Sequence, residues 1–153
     1  LLGDVNNMSV LDLCAAPGGK TLQLAAAGAR VTAVDKSASR LKRLSENLLR
    51  TGLSADILVG DAEQAAGDRL FDAVLLDLTL PLMTGEDVIR WVRRSQTPWA
   101  DIPILGLVED SMKPHVGRLM SMGMTDWTTK PLARHDLAEK IVNLLPGLYD
   151  AAL

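Results

Sequence analysis

Short apolar runs alternate with amphipathic stretches along the whole chain. The runs are Val10–Leu13, Val31–Val34, Asp56–Val59, Ala73–Leu76, Ile104–Val108 and a more polar Asp126–Thr129. Most are apolar at consecutive positions, as strands covered on both faces must be. Between them Leu41, Leu44, Leu48 and Leu49 recur at helical spacing, opposite Arg40, Lys42, Arg43 and Arg50, and Gly52 takes the stop position. Val88, Ile89 and Val92 repeat the stripe after Gly85. Val116, Leu119 and Met120 mark a shorter helix ended by Gly123, and Leu137, Ile141, Leu144 and Leu145 mark a last one before Pro146-Gly147. The connection over 61–70 is expected to hold only a turn or two. Strands alternating with helices predict right-handed crossovers and a Rossmann-like, doubly wound α/β sandwich of three layers. The expected sheet has six parallel strands in the order 3-2-1-4-5-6, with no reversed seventh strand.

Composition narrows this picture. A length of 153 residues fits one domain, 1–153, with halves meeting between residues 71 and 77. Hydrophobic residues make up 48% of the chain but aromatics only 3%, so the core must be aliphatic. Trp91 and Trp99 are expected to pack helix onto sheet. A net charge of −3 gives no broad basic surface and argues against a nucleic-acid partner. The single cysteine, Cys14, allows no internal disulfide, which suits the cytoplasm. No apolar run approaches the roughly 20 residues of a membrane span. The start, Leu1-Leu2-Gly3-Asp4, reads as a cut inside a longer protein, and the chain is expected to be a monomer without a membrane partner.

Candidate chemistry begins where the first strand turns into the first helix, at Asp12-Leu13-Cys14-Ala15-Ala16-Pro17-Gly18-Gly19-Lys20-Thr21. Small residues let a ligand approach the backbone, and a helix start offers free N–H groups to an anion. A P-loop needs glycine where Cys14 stands, and the dinucleotide fingerprint is absent. Asp35 and Asp61 end the next two strands. Carboxylates at successive strand ends beside a glycine loop point to a small nucleoside bound across the sheet edge.

The stretch 3–77 resembles the cofactor domain of bacterial RNA cytosine-5 methyltransferases, the ribosomal-RNA enzymes of the Sun family. The Asp12–Thr21 string, Val34-Asp35 through Arg40-Leu41, and Gly60-Asp61-Ala62 carry the likeness. The resemblance implies S-adenosylmethionine as cofactor. Ala15, Ala16, Pro17, Gly18 and Gly19 would line its methionine end and Lys20 would sit near its carboxylate. Asp35 would take the ribose, Asp61 and Ala62 the adenine side, Arg40 would orient the acidic groups, and Asp77 would close the site. Family members continue from Asp77 into a cysteine-bearing loop, with a further catalytic cysteine beyond. Here Leu78-Thr79-Leu80-Pro81 follows, and no later cysteine exists. That chemistry requires a thiol.

From Phe71 to Leu145 the sequence is instead similar to response-regulator receiver domains. Asp77, Pro81, Met83 and Gly85 match the phosphoacceptor segment, and Lys130-Pro131 matches the last receiver strand. The resemblance implies Lys130 in contact with Asp77 and a cis Lys130–Pro131 bond. Leu13 and Cys14 stand where a receiver has its acidic pair for Mg²⁺, and Val108 replaces the hydroxyl, so Asp77 and Lys130 are expected to form only a vestigial phosphoacceptor pair, without a metal.

Taken together the residues predict an engineered chimera with no enzymatic activity. It would retain at most weak binding of S-adenosylmethionine or S-adenosylhomocysteine, the adenosine end better held than the methionine end. The alternatives are a receiver-like phosphoacceptor module and a purely structural domain that binds nothing.

Overall fold

The six apolar runs are the six strands. β1 is Ser9–Leu13, β2 Arg30–Asp35, β3 Asp56–Val59, β4 Ala73–Asp77, β5 Ile104–Val108 and β6 Asp126–Thr129. They form one sheet in the order β3-β2-β1-β4-β5-β6, and every neighbouring pair is parallel. The structure, a computed structural model, describes residues 5–13, 19–60, 71–78, 85–95, 98–130 and 136–144. The loop 14–18, the connection 61–70, the segment 79–84, Pro131 and Leu145 lie outside the described residues, so expectations placed there have no structural counterpart.

Among the described residues five α-helices connect or follow the strands: α1 (Gly19–Ala26), α2 (Ala38–Thr51), α3 (Gly85–Arg94), α4 (Val116–Met122) and α5 (Asp136–Asn143). Local signals set their ends. Ser37 caps α2 by accepting from the Arg40 backbone N–H, and Gly52 closes it at φ 71°, in the left-handed region glycine tolerates. Acidic Glu86 and Asp87 open α3 and basic Arg93 and Arg94 close it, complementing the helix dipole.

Side chains alternate across the sheet and build a core on each face. On one face Val10, Val31, Ala73, Leu75, Leu105 and Leu107 pack with Leu24 of α1 and with Leu137 and Ile141 of α5. Beside them Leu41, Leu44 and Leu48 of α2 cover Ala33. On the other face Leu11, Val74, Leu76 and Ile104 pack with Val88, Ile89 and Val92 of α3 and Leu119 of α4. Trp91, Trp127 and Phe71 border only this last core. Each fully buried leucine or isoleucine contributes roughly 1.5–3 kcal/mol.

The helical stripes correct the sequence reading at two positions. Leu49 of α2 is 83% exposed and Met120 of α4 is 40% exposed, so neither belongs to the core. In α2 the buried positions are Leu41, Leu44 and Leu48, and Leu49 lies one residue beyond that stripe. The edge strand β3 is half-covered, with Val59 59% exposed, because it has a neighbour on one side only.

Two contacts join the halves at the amino end of the sheet. The Asp72 carboxylate accepts from the Ser9 backbone N–H at 2.7 Å, and the Asp72 N–H donates to Ser9 O at the same distance. Strand register then aligns Val10 with Ala73 and Leu13 with Leu76.

Candidate functional site

Parallel register brings the acidic strand ends to one edge. Leu13 of β1 pairs with Val34 of β2 and Leu76 of β4, so Asp35 and Asp77 each extend one residue past that row. This is where the strand order reverses, the switch point at which open α/β sheets leave a crevice. Alternation puts Asp12, Asp35 and Asp77 on the parity of Val10, Ala33 and Leu75, the face covered by α1, α2 and α5.

Asp12 is fully buried inside β1. Its Oδ2 accepts from Thr21 Oγ1 of α1 at 2.7 Å, and Lys20 Nζ lies 3.6 Å from its Oδ1. Burial pushes the Asp12 carboxyl above its usual range and the nearby Asp77 charge adds to this, while Lys20 and Thr21 pull it back. A charge in an apolar strand needs such partners. They tie the start of α1 to the sheet just past the glycine loop. Thr21 is a partner that sequence reasoning missed. The available signal was an acid inside Val10-Leu11-Asp12-Leu13, which had to be satisfied by something on the following helix.

Asp35 is 4% exposed. Its Oδ1 accepts from the Ser37 N–H at 2.9 Å and so shapes the turn into α2. Its Oδ2 is buried and accepts no hydrogen bond among the described residues, with Arg40 Nη1 4.0 Å away. Arg40 is half exposed and approaches the acid loosely. At the far side Lys130 Nζ donates to Asp77 Oδ2 at 2.6 Å, the contact that the receiver likeness implies.

Lys20, Asp35, Arg40 and Asp77 thus stand at one sheet edge with Asp12, and Lys130 joins them from β6. Ala15, Ala16, Pro17, Gly18, Asp61 and Ala62 lie outside the described residues. The described part fits a nucleoside cofactor. Asp35 offers a buried acceptor still in need of a donor, and a Cβ at Gly19 would meet nothing within 4 Å, so the start of α1 faces open space. No helix among the described residues is long and apolar enough to cross a membrane.

Both resemblances recur in comparisons with known proteins. A signal receiver domain of a histidine kinase from Syntrophus aciditrophicus superposes with a TM-score of 0.57 at 22% identity, covering 92% of both chains. The chemotaxis response regulator CheY4 of Vibrio cholerae gives 0.56 at 23%, over 92% of this chain and all of the other. At such identities the likeness is one of fold. Sequence relatives point elsewhere. The ribosomal RNA small subunit methyltransferase B of Serratia proteamaculans is 36% identical over the whole chain, and that of Erwinia tasmaniensis is 39% identical over 76% of it. The chain spans 37% of the length of the Serratia relative.

These relatives overturn the expectation of a chain that is not an enzyme. That expectation rests on the two absent cysteines, one in the loop after Asp77 and one beyond it, whereas the match runs through the receiver-like half as well and points to a methyltransferase. The absence of those cysteines does not remove the chain from a family that its sequence matches from end to end. The family model for the 16S rRNA methyltransferase RsmB/F matches residues 1–100, well past Asp77, and the chain belongs to that family.

Proposed function

We propose that this chain is the cofactor-binding domain of an RNA methyltransferase, holding S-adenosylmethionine across the carboxyl ends of β1 and β2. The observation that carries this reading is the buried Asp35 Oδ2, which accepts no hydrogen bond among the described residues. Two vicinal ribose hydroxyls supply the donors it lacks, and a charged acceptor makes such bonds roughly twice as strong as neutral ones. The glycine loop and the start of α1 would receive the methionine end. Bound there, the cofactor supplies an electrophilic methyl group. Ribosomal RNA is the substrate in the relatives' names; with a net charge of −3 and no thiol beyond Asp77, this chain is assigned the cofactor rather than the RNA. The residues of this chain bind and orient. Asp12 and Thr21 fix the start of α1 against the sheet, Asp35 fixes the ribose, and Arg40 steers the acid. The hybrid join replaces the loop beyond Asp77, so the adenosine end is held better than the methionine end and binding is weak. The join itself is best explained by recombination of two fragments that share a strand.

Asp35→Asn separates a ligand role from a structural one. Asparagine keeps an Oδ1 for Ser37 N–H but presents an N–H₂ group where the free carboxylate oxygen was. Titration calorimetry with S-adenosylhomocysteine should show binding weakened by about 1.5–3 kcal/mol at nearly unchanged melting temperature. Equal affinity in the variant would defeat the assignment.

A further inference from the structure

The acids at the carboxyl edge are not equally occupied. Lys130 approaches Asp77 at 2.6 Å, Lys20 approaches Asp12 at 3.6 Å, and Arg40 approaches Asp35 at 4.0 Å. The tightest pair also ties β4 to β6 across β5, since Asp77 ends β4 and Lys130 follows β6. Both members are partly buried, their side chains 16% and 29% exposed, where a charge is poorly screened by solvent. The charge of Asp77 also reaches toward β1, because it helps to hold the Asp12 carboxyl above its usual range.

We propose that Lys130 sets the charge selectivity of this crevice, masking Asp77 so that a cationic ligand gains little over a neutral one. The inference rests on the cofactor-binding reading above and deepens it. S-adenosylmethionine and S-adenosylhomocysteine differ by one methyl group and by the charge on sulfur, a sulfonium cation against a neutral thioether. Asp77 lies one residue past the row that pairs Leu76 with Leu13, beside the point where β1 gives way to the glycine loop. A bare carboxylate there favours the cation. A carboxylate paired to Lys130 presents little net charge and discriminates weakly.

The test is the ratio of the two dissociation constants, measured by calorimetry on the intact domain, with Lys130→Gln and Lys130→Met as independent replacements. Partial loss of folding reduces both apparent affinities by the same factor and leaves the ratio unchanged. Removing the lysine charge should shift the ratio about tenfold toward S-adenosylmethionine, the size expected of one unit charge acting across roughly 10 Å near a protein surface. Lys130→Arg keeps the cation and should hold the ratio of the unaltered protein. A further Asp77→Asn change on the Lys130→Gln background should abolish the shift. A ratio that stays fixed in Lys130→Gln and Lys130→Met, or moves equally in Lys130→Arg, overturns the proposal while leaving ligand binding intact. If the unaltered domain binds neither ligand, the binding reading falls and this one with it.

Discussion

Asp12 shows at the scale of one residue what the apolar pattern conceals. Its position inside β1 was legible, but its partners were not, because Thr21 and Lys20 reach it only once α1 has folded back onto the sheet. The same limit applies to Leu49, which shares the spacing of its neighbours yet faces solvent. Periodicity marks a face but not its width, and the packed surface decides where that face ends. Because burial raises the Asp12 carboxyl above its ordinary value of 3.8, the folded protein binds this proton more tightly than the unfolded chain does. The stability this confers is fully present below that unfolded value and is lost as pH rises through the raised folded one. Asp12→Asn removes the dependence and keeps an acceptor for Thr21. Melting temperatures of the two proteins, subtracted at each pH, should show the wild type losing ground to the variant as pH climbs above about 4. A difference that moves the other way would mean Lys20 outweighs burial.

Elements were read from the sequence more fully than their junctions. The six strands fall on the predicted runs to within a residue or so, and the glycine stops at Gly52 and Gly123 end their helices as expected. Strand and helix periods are local properties, which is why they could be read. The junction between α3, the turn at Pro98–Asp101 and α4 could not, since it depends on one side chain acting at long range. Arg93 of α3 donates to Ala100 O at 3.0 Å and Ile102 O at 2.6 Å through Nη1, and to Gly123 O through Nε and Nη2 at 3.0 and 2.6 Å. It thereby holds the entry to β5 and the end of α4 together. Burial lowers its basicity and Asp101 restores part of it, and the guanidinium stays charged. Arg93→Ala leaves these carbonyls without their charged donor and should cost about 2–4 kcal/mol in chemical denaturation. Arg93→Lys should recover only part, because an ammonium cannot match the planar fork. A loss under about 0.5 kcal/mol in Arg93→Ala, the range of ordinary surface changes, would show the bonds are replaced by water.

Across the whole molecule the two resemblances do not correspond to two separable bodies. The core on the α1 face contains Val10 and Leu24 from the first half and Leu137 and Ile141 from the second. β1 likewise pairs with β2 on one side and β4 on the other. A fragment ending at residue 78 keeps β1 to β4 but loses α3, α4 and α5, which cover both faces of the central strands. It should give collapsed amide dispersion in NMR spectra and no cooperative melting, and a well-dispersed, cooperatively unfolding fragment would contradict this account. Fold class and strand order followed from element alternation and crossover handedness, rules that hold whichever family supplies each half. The Asp77–Lys130 pairing at the carboxyl edge lies wholly within the receiver-like stretch, and that likeness alone implied it.

The uneven placing of aromatic residues carries a practical consequence. Trp91 and Trp127 border the core under α3 and α4, while the two cores on the opposite face contain no aromatic side chain among the described residues. Of the chain's three tryptophans these two, read with Trp99 replaced by phenylalanine, therefore act as a one-sided gauge in emission and near-ultraviolet dichroism. They register loosening beneath α3 and α4 and are nearly blind to loosening beneath α1, α2 and α5, where the nucleoside would bind. A probe placed on α2, at solvent-facing Leu49 for instance, would give the silent layer an optical signal of its own.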